Sequence, residues 1–345
     1  MSEMMKAARL HQIGQFQVDE VPVPVPQGEQ LLVKIGACGV CGADLPRIYE
    51  HGTSNQHYPM AIGHEFSGQI VAGGEDADPG LVGRRGAFFP LIPCRKCDSC
   101  LSGHYAMCED YDYMGSRRDG GFAQYCLVPS KWHFVESKNP DISYEALAMM
   151  EPACVAQHAV LRKSEMFAGA NVVIFGAGPI GILAGRGARI AGAGHILMVD
   201  VVEEKCDLAR QNGFEAFNSR SGSVEAAARK AFDGKLADIC VEGSGFSGAL
   251  ETAIRCITRF GTITQQAHSL LLGKEVVMKG IGNSHYGNVP INEWKYTAQM
   301  MDAGVFTWED LISHTTGIDG LPALIDQVKN REVNACKVMY SARED

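Results

Sequence analysis

Four cysteines in the stretch PCRKCDSCLSGHYAMC, namely Cys94, Cys97, Cys100 and Cys108, are spaced so that chemistry can be read from them directly. Three at two-residue gaps and a fourth after seven more residues put four soft thiolates in one loop. That is the ligand set of a closed tetrahedral zinc site, which has no open position and is therefore structural. An iron–sulfur cluster and four unrelated buried thiols are the competing readings.

A second stretch, GAGPIG, follows the apolar run NVVIF and opens a helical pattern. There Gly176, Gly178 and Gly181, with Pro179 and Ile180 between them, suit a turn that brings backbone close to a pyrophosphate at a helix N-terminus. The next apolar run, HILMVD, ends in Asp200, close to the distance at which an acidic residue binds ribose hydroxyls. A carboxylate there repels a 2′-phosphate, and Val201 and Val202 offer no cation to welcome one, so NAD is expected over NADP. The alternative for Asp200 is a helix N-cap.

A third set is dispersed: Cys41 in CGVCGAD, His64 and Glu65 in GHEFSG, and Glu151 in MMEPAC. One thiolate, one imidazole and one or two carboxylates make the three-ligand set of a catalytic zinc whose fourth position stays open. Local spacing does not bring them together, and a His–Glu pair is often just a satisfied polar pair.

The surrounding elements have to do that work. From Lys6 to about Val135 short alternating segments such as QLLVKIGAC and GHEFSGQIVAGG are broken by Gly, Pro and Asp, which predicts an antiparallel β domain. From about Ala168 buried strands (NVVIF, HILMVD, ADICVEG, GTITQQ) alternate with helical spacing (GILAGRGARIAGA, VEEKCDLARQNG, GALETAIRCI), which predicts a parallel, doubly wound sheet. After about His285, EWKYTAQMMDAG reads as a helix and ACKVMYS as a strand. At 345 residues two domains are the natural expectation, and 46% hydrophobic with 21% charged residues is a globular composition. A net charge of -9 disfavours nucleic acid and anionic membrane as partners. No apolar run is long enough to span a bilayer and the start lacks a signal-peptide core, so a cytoplasmic location is expected. Twelve cysteines without a secretion signal point to metal, chemistry or buried thiols rather than disulfides.

Taken together, CGVCGAD, GHEFSG, the four-cysteine lobe, GGFAQY, EPAC and GAGPIG resemble, in order and interval, the zinc-dependent medium-chain dehydrogenase/reductase family. The resemblance implies an α/β architecture: a GroES-like β-rich catalytic domain over 1–155, a Rossmann NAD-binding domain over 156–290, and a return to the catalytic domain over 291–345. It implies Cys41, His64 and Glu151 as catalytic zinc ligands, Glu65 beside the metal, and Asp44 orienting His64. Two zinc ions per chain, NAD and a homodimer or homotetramer come with it.

Glu151, where other alcohol dehydrogenases of the family place a cysteine, resembles the sorbitol dehydrogenase branch. ADLPRIYEHG, MGSRRDGGFAQY and NSHYGNVPINEW resemble polyol-phosphate dehydrogenases within it. The implied reaction is zinc-assisted oxidation of a secondary hydroxyl of a polyol or polyol phosphate, with hydride passing to NAD. Arg47, Arg117 and Arg118, with His285 and Lys295 as weaker choices, are the cations that resemblance offers a substrate phosphate. Pairing of Arg117 and Arg118 with Glu109, Asp110, Asp112 or Asp119 is the ordinary alternative. The family's relay hydroxyl and histidine are replaced by Ala43 and Pro46. That departure leaves open an NAD-retaining epimerase or lyase, and a non-catalytic nucleotide- and zinc-binding protein stands as a further alternative.

Overall fold

The computed structural model describes residues 3–265, 277–280 and 292–345. The chain divides into two units, Met1–Glu151 with His285–Asp345, and Pro152–Ser284.

In the first unit the strand Leu31–Gly39 is the organising element. Its residues are buried on both faces apart from Lys34, and it pairs antiparallel with Glu65–Gly73 on one side. Its other side is shared: Leu31 to Lys34 pair with Tyr125–Val128, while Ala37 to Gly39 pair with Lys337–Ser341. The late strand is therefore inserted into a seven-stranded sheet whose main path runs Phe134–Glu136, Arg85–Phe88, Glu65–Gly73, Leu31–Gly39, Lys337–Ser341, Ile312–Thr316, with Tyr125–Val128 as the seventh strand off that path beside Leu31–Gly39. A smaller sheet joins Met4–Gln12 to Gln15–Pro22 and to Met60–Ala61. The core beneath contains Val33, Ile35, Phe66, Ile70, Phe88 and Tyr340, each almost fully buried.

The late segment holds two elements whose sequence signal is weak. Ile312–Thr316 (ISHTT) is a polar strand with no fully buried side chain, and Leu321–Lys329 is a helix with Pro322 in its first turn and no side-chain cap. Apolar–polar alternation, the strongest sequence cue, is absent from ISHTT even though the burial of its residues alternates.

The second unit is a six-stranded sheet in the order Glu215–Asn218, His195–Asp200, Asn171–Phe175, Ala237–Glu242, Ile257–Gln265, Val277–Gly280. All of its pairings are parallel. Numbered by chain position the order is 3-2-1-4-5-6, which reverses at the carboxyl end of Asn171–Phe175. Near-continuous apolar runs such as NVVIF give such strands because helices cover both faces. No helix among the described residues is long and apolar enough to cross a membrane.

Candidate metal centres and nucleotide turn

The four-cysteine lobe is built from a short helix, Asp98–Leu101, and a single 3-10 turn, Tyr105–Met107. Cys94, Cys97, Cys100 and Cys108 bring their sulfurs within 4.8 Å of one another. The Cys94 and Cys100 sulfurs lie 3.9 Å apart and those of Cys97 and Cys108 4.0 Å apart. A tetrahedron of zinc–sulfur bonds of about 2.3 Å has edges of about 3.8 Å, so the four donors fit zinc as they stand. Electrostatics agree. Backbone N–H groups of Lys96 and Cys97 hold the Cys94 thiol down at about 6, while burial pushes Cys100 up to about 12 and Cys108 upward as well. Four thiolates this close need a dication between them.

Cys41, His64 and Glu65 form a second donor group within 4.8 Å. The sheet register explains the convergence. Gly39 pairs with Glu65, which sets the turn after one strand beside the start of the next. Asp44, fully buried, then ties the turn: Cys41 donates its backbone N–H to Oδ2 at 2.9 Å, and Arg47 pairs with Oδ1. His64 Nδ1 lies 3.8 Å from the same carboxylate, too far for a hydrogen bond, and has no hydrogen-bond partner. Asp44 thus positions Cys41 and Arg47 directly and reaches His64 only through charge. Burial alone would lower the His64 imidazole, but the Cys41 sulfur, Asp44 and Glu151 outweigh it and carry it up to about 10.

Glu151 stands outside the 4.8 Å group. It is buried in the first turn of the helix Met150–Gln157, where Oε1 accepts a long hydrogen bond of 3.5 Å from the Tyr113 hydroxyl. Burial, with Glu65 adding to it, pushes its carboxyl up to about 7 against the pull of His64 and Lys337.

Two residues of this cluster are not foreseen from the sequence. Lys337, 5% exposed, ion-pairs with Glu65. Its one signal is a lysine opening KVMYS, a strand in which every residue is buried. Tyr113 is buried with its ring edge-on to His64 at 5.8 Å, and nothing in its local sequence marks it. Gly39 makes room for the ion pair: a Cβ there would lie 2.2 Å from Glu65 Oε2 and 2.9 Å from Lys337 Cε.

In the second unit the turn after Asn171–Phe175 is tight and depends on its glycines. Gly176 has φ +94°, and a Cβ on Gly181 would lie 1.8 Å from the Gly176 carbonyl oxygen. Gly178 faces open space and precedes the helix Pro179–Ile190, in which Pro179 and Ile180 form the first turn. Asp200, 9% exposed, accepts backbone N–H bonds from Ala177 at 2.9 Å, Val201 at 2.7 Å and Val202 at 3.0 Å. It ties the glycine turn to the strand end, and three of its roughly four lone-pair directions are already taken.

The three arginines differ. Arg47 is paired with Asp44 and its side chain is only 14% exposed. Arg118 donates from Nε to Asp112 at 2.7 Å. Arg117 donates to the Tyr111 carbonyl at 2.7 Å and lies over the Tyr111 ring. Lys295 lies in the first turn of the helix Glu293–Asp302, and His285 lies outside the described residues.

Two family models match: the alcohol dehydrogenase GroES-like domain over residues 27–138 and the zinc-binding dehydrogenase domain over 179–285. The galactitol 1-phosphate 5-dehydrogenase of Escherichia coli (strain K12) is 33% identical over 315 residues, covering 87% of this chain and 90% of that protein. The sorbitol dehydrogenase of Bacillus subtilis (strain 168) is 31% identical over 264 residues, 75% and 74% of the two chains. A crystal structure described as a zinc-binding dehydrogenase of Sinorhizobium meliloti 1021 bound to NADP superposes with a TM-score of 0.89 at 28% identity, covering 99% and 100%.

Proposed function

The chain belongs to the zinc-binding dehydrogenases with a GroES-like domain, the polyol branch included, and from that membership we propose that it oxidises a secondary hydroxyl of a polyol or polyol phosphate with zinc and NAD. The observation that carries the reading is the convergence of half-buried Cys41 with buried His64 and Glu65, and with Glu151 near enough to interact electrostatically with both His64 and Glu65. Cys41, His64 and Glu151 are the residues that would hold the catalytic zinc. Glu65 already has a cation in Lys337, whereas among the described residues no cation forms an ion pair with Glu151, which feels His64 and Lys337 only at longer range, and a buried carboxylate so placed suits a metal. When bound there, zinc supplies Lewis-acid polarisation of a substrate hydroxyl.

The chain's own residues supply the rest. Asp44 holds the Cys41 turn, and Tyr113 packs on His64 while donating to Glu151. With Ala43 and Pro46 where the family's relay groups stand, Glu65 is the remaining base within the donor group, and Lys337 gives it the positive neighbour a buried carboxylate requires. In the second unit Gly176, Gly178, Gly181 and the helix N-terminus at Pro179 would receive the pyrophosphate, and the fixed charge of Asp200 disfavours a 2′-phosphate. Arg47 is the cation that a substrate phosphate would use, and it must share itself with Asp44.

Purified protein is expected to hold two zinc ions per chain and to form NADH steadily at 340 nm with galactitol 1-phosphate or sorbitol. Absence of zinc, or silence across phosphorylated and free polyols with both NAD and NADP, would overturn the reading.

A further inference from the structure

We infer that the first unit carries a second small-molecule site, for an organic anion with an apolar body, set apart from the zinc cluster. A depression of about 540 Å3 opens between the strands Met4–Gln12 and Tyr125–Val128 and the segment 112–119. That is the size range of ligand pockets. None of Cys41, His64, Glu65 or Glu151 lines it.

Its floor is apolar and belongs to its own small cluster, Met5, Ala7, Ala61 and Ala123, with Val21 at the side. The charged groups on its wall are, with one exception, already used. Arg9 donates to the Pro59 carbonyl at 2.7 Å and lies 3.6 Å from Asp19. Arg118 is paired with Asp112, and Asp119 accepts the Ala61 N–H at 2.8 Å.

Arg117 is the exception. Among the described residues no carboxylate pairs with it, and its Nε is buried without a hydrogen-bond partner. It is nevertheless held in place, with Nη1 on the Tyr111 carbonyl and the guanidinium carbon 4.0 Å from the centre of the Tyr111 ring. In a chain of net charge -9, a fixed guanidinium that no carboxylate among the described residues neutralises, on the wall of an apolar depression, is built to receive an anionic acceptor.

The floor decides the ligand's other end. A polyol laid on Met5, Ala7, Ala61 and Ala123 would lose water from hydroxyls that find no partner there, so the site selects an apolar body and not the proposed substrate. A carboxylate or phosphate monoester carrying a ring or short alkyl group meets both demands.

Phenyl phosphate, titrated calorimetrically into the zinc-loaded protein in the presence of NADH, is the probe. One saturable site per chain is expected, with inorganic phosphate and benzyl alcohol each at least tenfold weaker. Arg117→Gln should weaken phenyl phosphate about tenfold or more, and Val21→Asp, which lays a carboxylate in the depression at a half-buried position, should do the same. Zinc content and melting temperature check that both variants are folded, and Val21→Asp should keep its polyol turnover. No saturable binding, binding no tighter than inorganic phosphate, or affinity unchanged in both folded variants would each overturn the assignment.

Discussion

Two cysteine-containing clusters in the first unit are assembled in opposite ways. In the lobe every donor comes from one loop, Cys94 to Cys108, and backbone N–H groups of the loop itself tune the first thiol. In the other cluster the donors come from a turn after one strand, the start of a second strand and a helix, and the compensating lysine comes from a strand near residue 340. A contiguous site makes its own loop fold. A dispersed site exists only when the sheet is already assembled, so its residues are free to serve chemistry at some cost in stability.

Exchanging one donor in each place tests that division most severely. Cys41→Ser or Glu151→Ala should lower kcat/KM by about a thousandfold or more, since the Lewis-acid contribution is several kcal/mol, while circular dichroism and zinc in the lobe stay unchanged. Cys97→Ser should do the reverse. It should release one zinc and lower Tm by something on the order of 10 °C, with residual turnover in the fraction that remains folded. Loss of turnover without loss of stability in Cys97→Ser would erase the distinction.

The buried ion pair offers the next largest effect. Lys337→Met leaves Glu65 buried without its cation and should destabilise the first unit by about 3–5 kcal/mol in denaturant unfolding. Adding Glu65→Leu should restore most of that stability without restoring turnover, which separates a structural role for the pair from a role in the site.

Acid should act on the same unit through a group that is neither ligand nor relay. His133 is buried and donates from Nδ1 to the Phe89 carbonyl at 2.9 Å, and burial holds its imidazole down at about 4. Its usual value is about 6.5, so the unfolded chain takes up a proton that the folded one refuses. The neutral imidazole's contribution is complete above about 6.5 and is lost as pH falls from there toward 4, by something on the order of 2–3 kcal/mol. His133→Asn, which keeps a donor for Phe89, should flatten unfolding free energy against pH in that window.

The smallest effect concerns the second unit. Asp200→Ser removes a fixed negative charge and should narrow the preference for NAD over NADP by an amount on the order of 1–3 kcal/mol in kcat/KM. Because three backbone donors already occupy the carboxylate, the change should appear mainly as gained use of NADP. Equal use of both cofactors by the unaltered protein would break the reading of Asp200.

What could be read from the sequence follows the same division. The lobe and the glycine turn are legible because spacing within a few residues fixes their geometry. The parallel sheet is legible because NVVIF, HILMVD and ADICVE carry continuous burial. Cys41, His64 and Glu151 are legible as a possible ligand set from their residue types, but their convergence is expected only through resemblance, since tertiary structure and not local spacing decides how near they come. Lys337 and Tyr113 escape because a single lysine or tyrosine in a short strand reads as an ordinary residue until its neighbours are known. Arg47 illustrates the converse: its place near Cys41 is legible, its capture by Asp44 is not.

The strand Lys337–Ser341, lodged beside Leu31–Gly39, has a consequence for how the protein is made. More than 270 residues separate Glu65 from the lysine that neutralises it, and the whole second unit is translated in between. At about 5–20 residues per second a ribosome takes roughly 15 to 50 seconds over that interval. For that time the nascent first unit presents the unpaired edge of Ala37–Gly39 and an uncompensated carboxylate, the kind of edge on which chains stick to one another. Chaperone dependence should therefore concentrate in the interval before the late strand emerges, and a circular permutant that moves Lys337–Ser341 ahead of Met4 should shorten it.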